Sequence, residues 1–232
     1  MKKWLWLIGI FFLTGCSSMR IPVKNDFWNK QNEKIGIVIS KNPIPGAFKV
    51  GSQGILDMAI NSAMASTLEK HIATIKIDEF KEIKDIFTEN LSKRGINDVV
   101  FLNDTINQQN VKDYKRYVGK KEYAKTLTKL KENYNVDHLL VFSVARYGTI
   151  RGYYGFIPLG APEALFEVHG MLINLTTNEF EWYIEMNEEE SSLKVIGNWD
   201  QEPDYPNLTK AIIDAMRGSQ SFLNEHFFTN KK

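Results

Sequence analysis

The sequence predicts a single α/β (α+β) domain built on a mixed β-sheet. Short apolar runs rich in β-branched residues alternate with segments of helical spacing through most of the chain, as expected of strands joined by helices. Near the end, two strand-like segments flank a short turn, a pattern typical of an antiparallel hairpin. The 232 residues are 43% hydrophobic and 25% charged, as in ordinary globular proteins. We expect about five strands and about four flanking helices, with parallel pairing early and antiparallel pairing late.

The first predicted elements are a strand and a long helix. Residues 35–39 (IGIVI) are a short β-branched run of the kind that forms a buried strand. Residues 41–46 (KNPIPG) contain two prolines and a glycine and are typical of a turn. From Gly54 onward, apolar residues recur every three or four positions, so we expect one face of a helix to pack on the sheet. That face consists of Leu56, Ile60, Ala63, Met64, Leu68 and Ile72.

The strongest predicted strand lies at residues 138–144. It is apolar on both faces, which places it centrally in the sheet. In the later strand at residues 180–186, apolar residues alternate with acidic ones, so we expect Glu181 and Glu185 on a solvated face. The remaining predicted elements are helices at 78–91, at 123–134 and from 207, a strand at 99–102, and a first hairpin strand at 166–175.

The first sixteen residues predict a lipoprotein signal peptide. Lys2 and Lys3 precede an uncharged run at residues 4–13, which is too short to cross a bilayer as a helix. Residues 13–16 (LTGC) match the bacterial lipobox, and Cys16 is the only cysteine in the chain. The match implies that Cys16 carries the lipid, including fatty acids such as palmitate, and becomes the first residue after cleavage. An alternative interpretation is a secretory signal cleaved elsewhere, with Cys16 discarded.

This anchor divides the chain into three predicted parts. Residues 1–15 are the signal peptide, residues 16–34 a lipidated N-terminus and short tether, and residues 35–232 a single periplasmic domain. Ser17 replaces the Asp that favours retention in the inner membrane, so we expect the outer membrane with the domain facing the periplasm. In a cell with a single membrane, the anchor would lie in the plasma membrane. A domain of this size buries enough surface to fold without a disulfide.

The second half of the chain resembles a group of bacterial envelope lipoproteins. Residues 134–148 (YNVDHLLVFSVARYG) are followed by a strand pair of the form G-x-L-x-(D/N)-L-x-T-x-x-x-x-x-W. The pattern resembles relatives of the curli-secretion lipoprotein CsgG, the penicillin-binding-protein activator LpoB and the N-terminal domain of TolB. The resemblance implies an α/β domain that binds proteins or oligomerises without catalysis. The residues that match the second part are Gly170, Leu172, Asn174, Leu175, Thr177 and Trp182.

Residues 147–162 (YGTIRGYYGFIPLGAP) are the strongest candidate for an interaction site. Glycine and proline are disfavoured inside regular strands, so this segment is predicted to be a loop between two strong strands. Tyr and Arg are over-represented in binding hot spots. An alternative interpretation is that the aromatic residues fold back to cover the sheet. The candidate interaction residues are Tyr147, Arg151, Tyr153, Tyr154 and Phe156.

Histidine and carboxylate residues support an enzymatic alternative. His138 and His169 could meet if their strands pair, and Glu167 would then join them in a metal site. Such residues are more often ordinary polar members of a sheet, and the sequence contains no P-loop, GxSxG or GxGxxG motif. We therefore expect no catalysis, no cofactor and no bound metal. An envelope hydrolase or metal-dependent enzyme is one alternative, and a carrier of a small ligand or lipid, held beneath the aromatic segment, is another.

The distribution of charge along the chain indicates which classes of partner to expect. A net charge of +1 provides no general affinity for nucleic acid. Residues 111–131 are predominantly basic and residues 179–204 predominantly acidic, which favours either two solvated faces or association of complementary surfaces. The leading hypothesis is a lipid-anchored cell-envelope lipoprotein that binds an envelope protein or itself and is not an enzyme.

Overall fold

A computed structural model describes residues 20–39, 43–102 and 121–229 of the chain. Within these ranges, eight strands form one mixed sheet with helices on both faces. The strands are β1 Ile35–Ile39, β2 Ile44–Ser52, β3 Val99–Phe101, β4 His138–Tyr154, β5 Ile157–Pro158, β6 Glu163–Asn174, β7 Glu179–Glu185 and β8 Ser192–Lys194. The helices are α1 Ile55–Ile72, α2 Ile83–Ser92, α3 Lys121–Tyr134, α4 Glu188–Ser191 and α5 Pro206–Phe228, with 3-10 turns at Asn25–Asn29 and Asp78–Glu82.

The predicted fold class is confirmed, with more strands than expected. The main order across the sheet is β3-β1-β4-β6-β7, while β2 and β5 pair with β4 and β8 pairs with β6. The early strands β1, β2 and β3 pair in parallel, and β6 and β7 pair antiparallel, as predicted. The strands that sequence patterning missed are β2, β5 and β8.

Strand β4 is the central element, as predicted, but it is much longer than expected. It runs for 17 residues. Along one edge it pairs in parallel first with β1, from His138 to Phe142, and then with β2, from Arg146 to Tyr154. Along the other edge it pairs antiparallel with β6, with a bulge between Val144 and Arg146. With β5 paired near its end, this one strand holds four others in register.

The prediction of a turn at residues 41–46 is wrong for its described part. Ile44, Pro45 and Gly46 are the first residues of β2 and pair with Arg146, Tyr147 and Gly148 of β4. A strand tolerates proline at its start and on an edge, where a missing N–H breaks no ladder. Because β2 pairs only with β4 among the described strands, it is such an edge strand.

Two apolar cores lie on opposite faces of the sheet. The larger core joins the sheet to α2 and α5 through fully buried aromatic rings, with Phe87 4.5 Å from Phe142 and Trp182 4.9 Å from Phe227 between ring centroids. On the other face Leu127 and Leu130 of α3 cover a smaller core. Both faces of the central strands are therefore buried, which explains why β4 reads as a continuous apolar run.

The described end of the predicted tether packs on the domain. Ile21 exchanges backbone hydrogen bonds with Tyr183 of β7, and Phe27 is buried in the larger core. The guanidinium of Arg94 lies 4.2 Å from the centroid of the Trp28 ring. Among the described residues, packing extends upstream to residue 21, before residue 35 where we expected the domain to start.

Gly170 is expected to be essential for packing, since a Cβ placed there would lie 2.2 Å from the ring of Trp182, which is fully buried. Gly170→Ala should destabilise the fold by about 2–4 kcal/mol, because an overpacked core must shift. Gly218 of α5 is the matched control, since nothing lies within 4 Å of its added Cβ. Gly218→Ala should stabilise by about 0.5–1 kcal/mol through helix propensity. Urea denaturation measures both, and equal midpoints for the two variants would contradict this account.

Candidate functional site

The candidate segment 147–162 is a β-hairpin, so the prediction of an irregular loop is wrong. Strand β4 continues through Tyr154, turns at Gly155 and returns as the short strand β5. Glycine at position 148 lets β2 run close beside β4, because a Cβ on Gly148 would lie 2.1 Å from the carbonyl oxygen of Gly46. Gly155 adopts φ 59°, the left-handed conformation that a tight turn requires.

The hairpin separates the five candidate residues into buried and exposed members. Tyr147 and Tyr153 are only 6% and 8% exposed, whereas Tyr154 and Phe156 are 71% and 57% exposed. Tyr153 and Tyr154 must differ because adjacent residues in a strand point to opposite faces of the sheet. Burial also raises the pKa of Tyr147. Tyr147 and Tyr153 therefore stabilise the fold, and only Tyr154 and Phe156 are available for contact.

Arg151 stabilises the hairpin through contacts with its neighbours. Its Nε donates to the carbonyl oxygen of Gly160 at 2.7 Å, and its guanidinium lies 5.0 Å from the centroid of the Trp199 ring. Beside it is a groove of about 150 Å³, lined by residues that include Met64, Tyr153 and Trp199. Pockets that enclose small ligands usually measure about 300–1,000 Å³. The groove is therefore smaller than the pocket that a ligand carrier would need.

Helix α1 leaves exposed most of the apolar face that was predicted to pack on the sheet. Ile55 is 91% exposed, and Leu56 and Met64 are each 73% exposed. Of the predicted face only Leu68 and Ile72, near the C-terminal end, are buried. In its first half the helix turns a different stripe inward, which the sequence pattern did not reveal.

Asn61 fixes this rotation of α1. It is 1% exposed, and its side-chain amide donates to the side chain of Gln53 at 2.9 Å and to the carbonyl oxygen of Gly155 at 3.2 Å. A buried amide is costly unless it is hydrogen-bonded, so these bonds hold Asn61 inward. Leu56 precedes Asn61 by five positions, which is about 140° around the helix, and it therefore faces outward.

The first turns of α1 and the β4–β5 hairpin form one continuous apolar surface. Asn61 bonds to the turn residue Gly155, and an added Cβ at Gly155 would lie 3.6 Å from the carboxylate of Asp57. Met64 shares the groove with Pro158 at the base of the hairpin. We call this the apolar tip surface; its exposed members are Ile55, Leu56, Met58, Ile60, Met64, Tyr154, Phe156, Ile157 and Leu159.

The structure does not bring together the histidines and glutamate of the enzymatic alternative. His138 lies opposite Asn174 in the β4–β6 register, whereas His169 lies opposite Ser143. Positions 138 and 143 of β4 are five apart, and side chains an odd number of positions apart point to opposite faces of a strand. His138 and His169, which lies beside Ser143, therefore project from opposite faces of the sheet. Glu167 and His169 share one face, and the third member of their cluster is Glu185 of β7.

His138 belongs to a buried ion-pair network that holds the N-terminal segment. Its ring nitrogens lie 3.0 Å from a Glu33 carboxylate oxygen and 2.7 Å from one of Glu181. Lys30 donates to Glu181 at 2.7 Å. Glu181, predicted to be solvated, is 8% exposed, because the β6–β7 register shifts between Leu172 and Ile173 and reverses the alternation.

Glu181 is strongly stabilised as the carboxylate. Burial alone would raise its pKa, but hydrogen bonds and attraction from His138 and Lys30, with a further hydrogen bond from Asn174, lower the pKa to about 2. The network therefore stabilises the folded state only while Glu181 is ionised.

Several predictions from the sequence concern residues outside the described ranges. Cys16, the signal peptide and residues 111–120 of the basic segment are among them. Among the described helices, including the 23-residue α5, none has the length and apolar character needed to cross a bilayer.

Neither a protein-family model nor a curated protein matches this chain. Among solved structures, the hypothetical protein CT253 from Chlamydia trachomatis has 9% identity and a TM-score of 0.40, covering 85% of this chain and 99% of that one. A PelC dodecamer from Paraburkholderia phytofirmans has 14% identity and a TM-score of 0.25, covering 82% and 89%.

The lipoprotein GNA1162 from Neisseria meningitidis has 13% identity and a TM-score of 0.23, covering 66% of this chain and 80% of that one. The structural neighbours thus include a bacterial lipoprotein and a hypothetical bacterial protein. We base no functional inference on similarities this distant. The resemblance to CsgG, LpoB and TolB is not shown by these matches and stays a prediction.

The ion-pair network generates a prediction about pH. The pKa of Glu181 is about 2 in the folded protein against an ordinary 4.5, so its contribution is complete above pH 4.5 and is lost as pH falls toward 2. Protonation should cost the wild type roughly 2–4 kcal/mol over that window. Glu181→Gln should be less stable at neutral pH and show a shallower dependence below pH 4.5. Denaturant titrations between pH 2 and 6 measure this.

Glu179→Gln is the matched control, because Glu179 lies on the same strand but is exposed. It should keep the wild-type pH dependence. If Glu181→Gln retains the full loss of stability between pH 4.5 and 2, the network does not act as described.

Proposed function

We propose that this protein is a lipid-anchored lipoprotein of the bacterial cell envelope that acts as a non-catalytic binding and assembly factor. Its anchor is Cys16, and its binding site is the apolar tip surface. The occupant of that surface is a second copy of the same chain. The observation that carries the proposal is the exposure of this surface, on which Ile55 is 91% exposed and Leu56 and Met64 are each 73% exposed.

The size of the apolar tip surface supports a protein partner. Monomeric soluble proteins rarely expose a large contiguous apolar patch, and such patches mark interaction sites. Nine large side chains that each expose roughly 100 Å² offer on the order of 900 Å², close to the area that each partner buries in a standard interface. Its aromatic members, Tyr154 and Phe156, are of the kind enriched in such interfaces.

Two features support self-association in particular. The named members of the apolar tip surface are uncharged, and the neighbouring carboxylate of Asp57 accepts a hydrogen bond from the backbone N–H of Gly54 at 2.9 Å, so two identical copies can meet through the apolar side chains across a two-fold axis. The adjoining strand β2 is an edge strand of nine residues among those described. Unpaired edges are templates for pairing with another chain, and charged or covered edges normally prevent this.

The position of the anchor supports contact with protein and not with the anchoring membrane. Arg20 binds Glu190 at 2.6 Å, and Ile21 pairs with Tyr183 of β7. Four residues separate Cys16 from Arg20 and span at most about 14 Å. Tyr183 is aligned through Met171 with Val141 of β4, and Tyr154 is 13 residues farther along that strand, roughly 40 Å away. The N-terminal segment therefore joins the sheet at Ile21, roughly 40 Å from the tip, and a chain of at most about 14 Å from Arg20 to Cys16 is too short to close that gap.

For localisation, we propose the outer membrane with the domain in the periplasm, on the basis of the lipobox and Ser17. In a source with a single membrane, the same anchor would hold the domain at the plasma membrane. Neither placement requires a membrane-spanning helix, since acyl chains on Cys16 supply the attachment.

The anchor generates one prediction. Cys16→Ser should abolish incorporation of labelled palmitate and move the protein from the membrane to the soluble fraction, because several acyl chains bind a bilayer far more firmly than any exposed side chains. Fractionation after labelling measures this. Ser17→Ala, one position later, should remain acylated and membrane-bound. Membrane retention of an unacylated Cys16→Ser protein would contradict an anchor at this residue.

The apolar tip surface generates a prediction about self-association. Purified full-length protein should form oligomers in sedimentation experiments, and the Leu56→Ser/Phe156→Ser variant should associate at least tenfold more weakly, because truncating interface anchors typically costs 2 kcal/mol or more. Both residues are exposed, so the variant should keep its fold by circular dichroism. Tyr153→Ser should instead destabilise the monomer, because Tyr153 is buried.

The matched control is Lys93→Ser, an exposed position directly after α2. It should leave the association constant unchanged. A wild type that stays monomeric up to about 100 µM would overturn self-association through this surface. A crosslink from Phe156 to a different protein, in a chain that remains monomeric, would identify a heterologous occupant instead.

A further inference from the structure

Three metal-ligating side chains converge on the face of the sheet that carries the smaller core. Glu167 and His169 lie two residues apart on β6, and Glu185 lies opposite His169 on β7. One donor atom from each lies within 4.8 Å of the others. Met171 and Tyr183 follow on the same face and belong to the smaller core, so the cluster borders an apolar region.

His169 is the unusual member of this cluster. It is 5% exposed, and its buried Nε2 makes no hydrogen bond of good geometry in the described part of the chain. Buried polar atoms are nearly always satisfied, so an orphan of this kind requires an explanation such as an ion. Nε2 points between two carboxylate oxygens, the Oε1 of Glu167 at 3.5 Å and the Oε1 of Glu185 at 3.6 Å.

These separations are too long for good hydrogen bonds but suit two ligands of one ion. An N–H···O bond measures about 2.7–3.2 Å between heavy atoms. Ligands that each lie about 2.0–2.1 Å from a tetrahedral zinc ion are separated by about 3.3–3.4 Å. The observed 3.5 Å and 3.6 Å are close to this spacing.

The other oxygens of the two carboxylates are already held by neighbouring side chains. Nε of Arg146 donates to Oε2 of Glu167, and the hydroxyl of Tyr183 donates to Oε2 of Glu185 at 2.9 Å. Outer partners of this kind orient metal ligands and are a regular feature of metal sites. They leave both Oε1 atoms directed toward His169. The Arg146 charge offsets one of the two carboxylate charges.

We propose that Glu167, His169 and Glu185 bind a divalent transition-metal ion, for which Zn²⁺ is the probe. One imidazole nitrogen and two carboxylate oxygens suit zinc, whereas Mg²⁺ and Ca²⁺ take oxygen ligands. Three protein ligands leave a fourth position for water or an outside donor. The ion would clamp the end of β7 to β6 at the His169–Glu185 pair. This proposal is independent of the function proposed for the apolar tip surface.

The test is calorimetric titration of the full-length protein with ZnCl₂. We expect one ion per chain, and binding at least tenfold weaker in His169→Gln and in Glu185→Gln. Tyr183→Phe, which removes only the outer hydrogen bond to Glu185, should weaken binding about 10–100-fold. His226→Gln is the control, because His226 lies in α5 with Nδ1 bonded to the carbonyl oxygen of Phe222 and is absent from the cluster.

Two further measurements separate binding from folding. Circular dichroism should show that Glu185→Gln, a substitution of equal size at a partly exposed position, keeps the fold. Bound Co²⁺ should give the visible absorption of a tetrahedral site in the wild type and lose it in His169→Gln. A wild type that takes up no Zn²⁺, or that binds it no more tightly than His169→Gln or Glu185→Gln does, would overturn the proposal.

Discussion

The backbone ladder of β4 is the constraint on which the rest of the structure depends. Its 17 residues pair with β1 and then β2 along one edge and with β6 along the other. A bulge at residue 145 interrupts the pairing with β6, and the two parallel partners divide the other edge between them. Every other strand reaches the sheet through β1, β4 or β6.

The alternation of side chains along this ladder distributes the polar groups of the protein. His138 is directed to the larger core, where Glu33, Glu181 and Lys30 bind the N-terminal segment to the sheet. His169 is directed to the opposite face, where its neighbours are Glu167 and Glu185. The two histidines belong to separate clusters, because His138 and the residue paired with His169, Ser143, are an odd number of positions apart on β4.

The length of β4 also relates the two ends of the domain. The N-terminal segment pairs with β7 near the start of β4, and the apolar tip surface lies where β4 turns back into β5. Ile21, where the N-terminal segment pairs with the sheet, lies roughly 40 Å along the strand from that surface. Anchoring and association would then occupy different parts of one rigid sheet, which suits a protein that assembles while attached to a bilayer.

Local sequence was sufficient for the elements whose own pattern decides their structure. The β-branched run of β1, the apolar run of β4, the hairpin of β6 and β7, and the helical spacing of α1, α2 and α5 were all predictable from hydrophobic periodicity. The lipobox, including Cys16, is likewise a local signal. These features depend on neighbouring residues in the chain and so can be read without knowing the fold.

Tertiary structure decided the features that depend on distant partners. Pro45 and Gly46 become strand residues only because β4 lies beside them. Asn61 rotates α1 because it bonds to Gly155, which lies 94 residues away in the chain, and this rotation exposes Leu56. A register shift at β7 buries Glu181, and the β6–β7 pairing adds Glu185 to Glu167 and His169. Hydrogen bonds between segments that are distant in the chain set each of these features. The hydrophobic periodicity of one segment contains no information about such bonds.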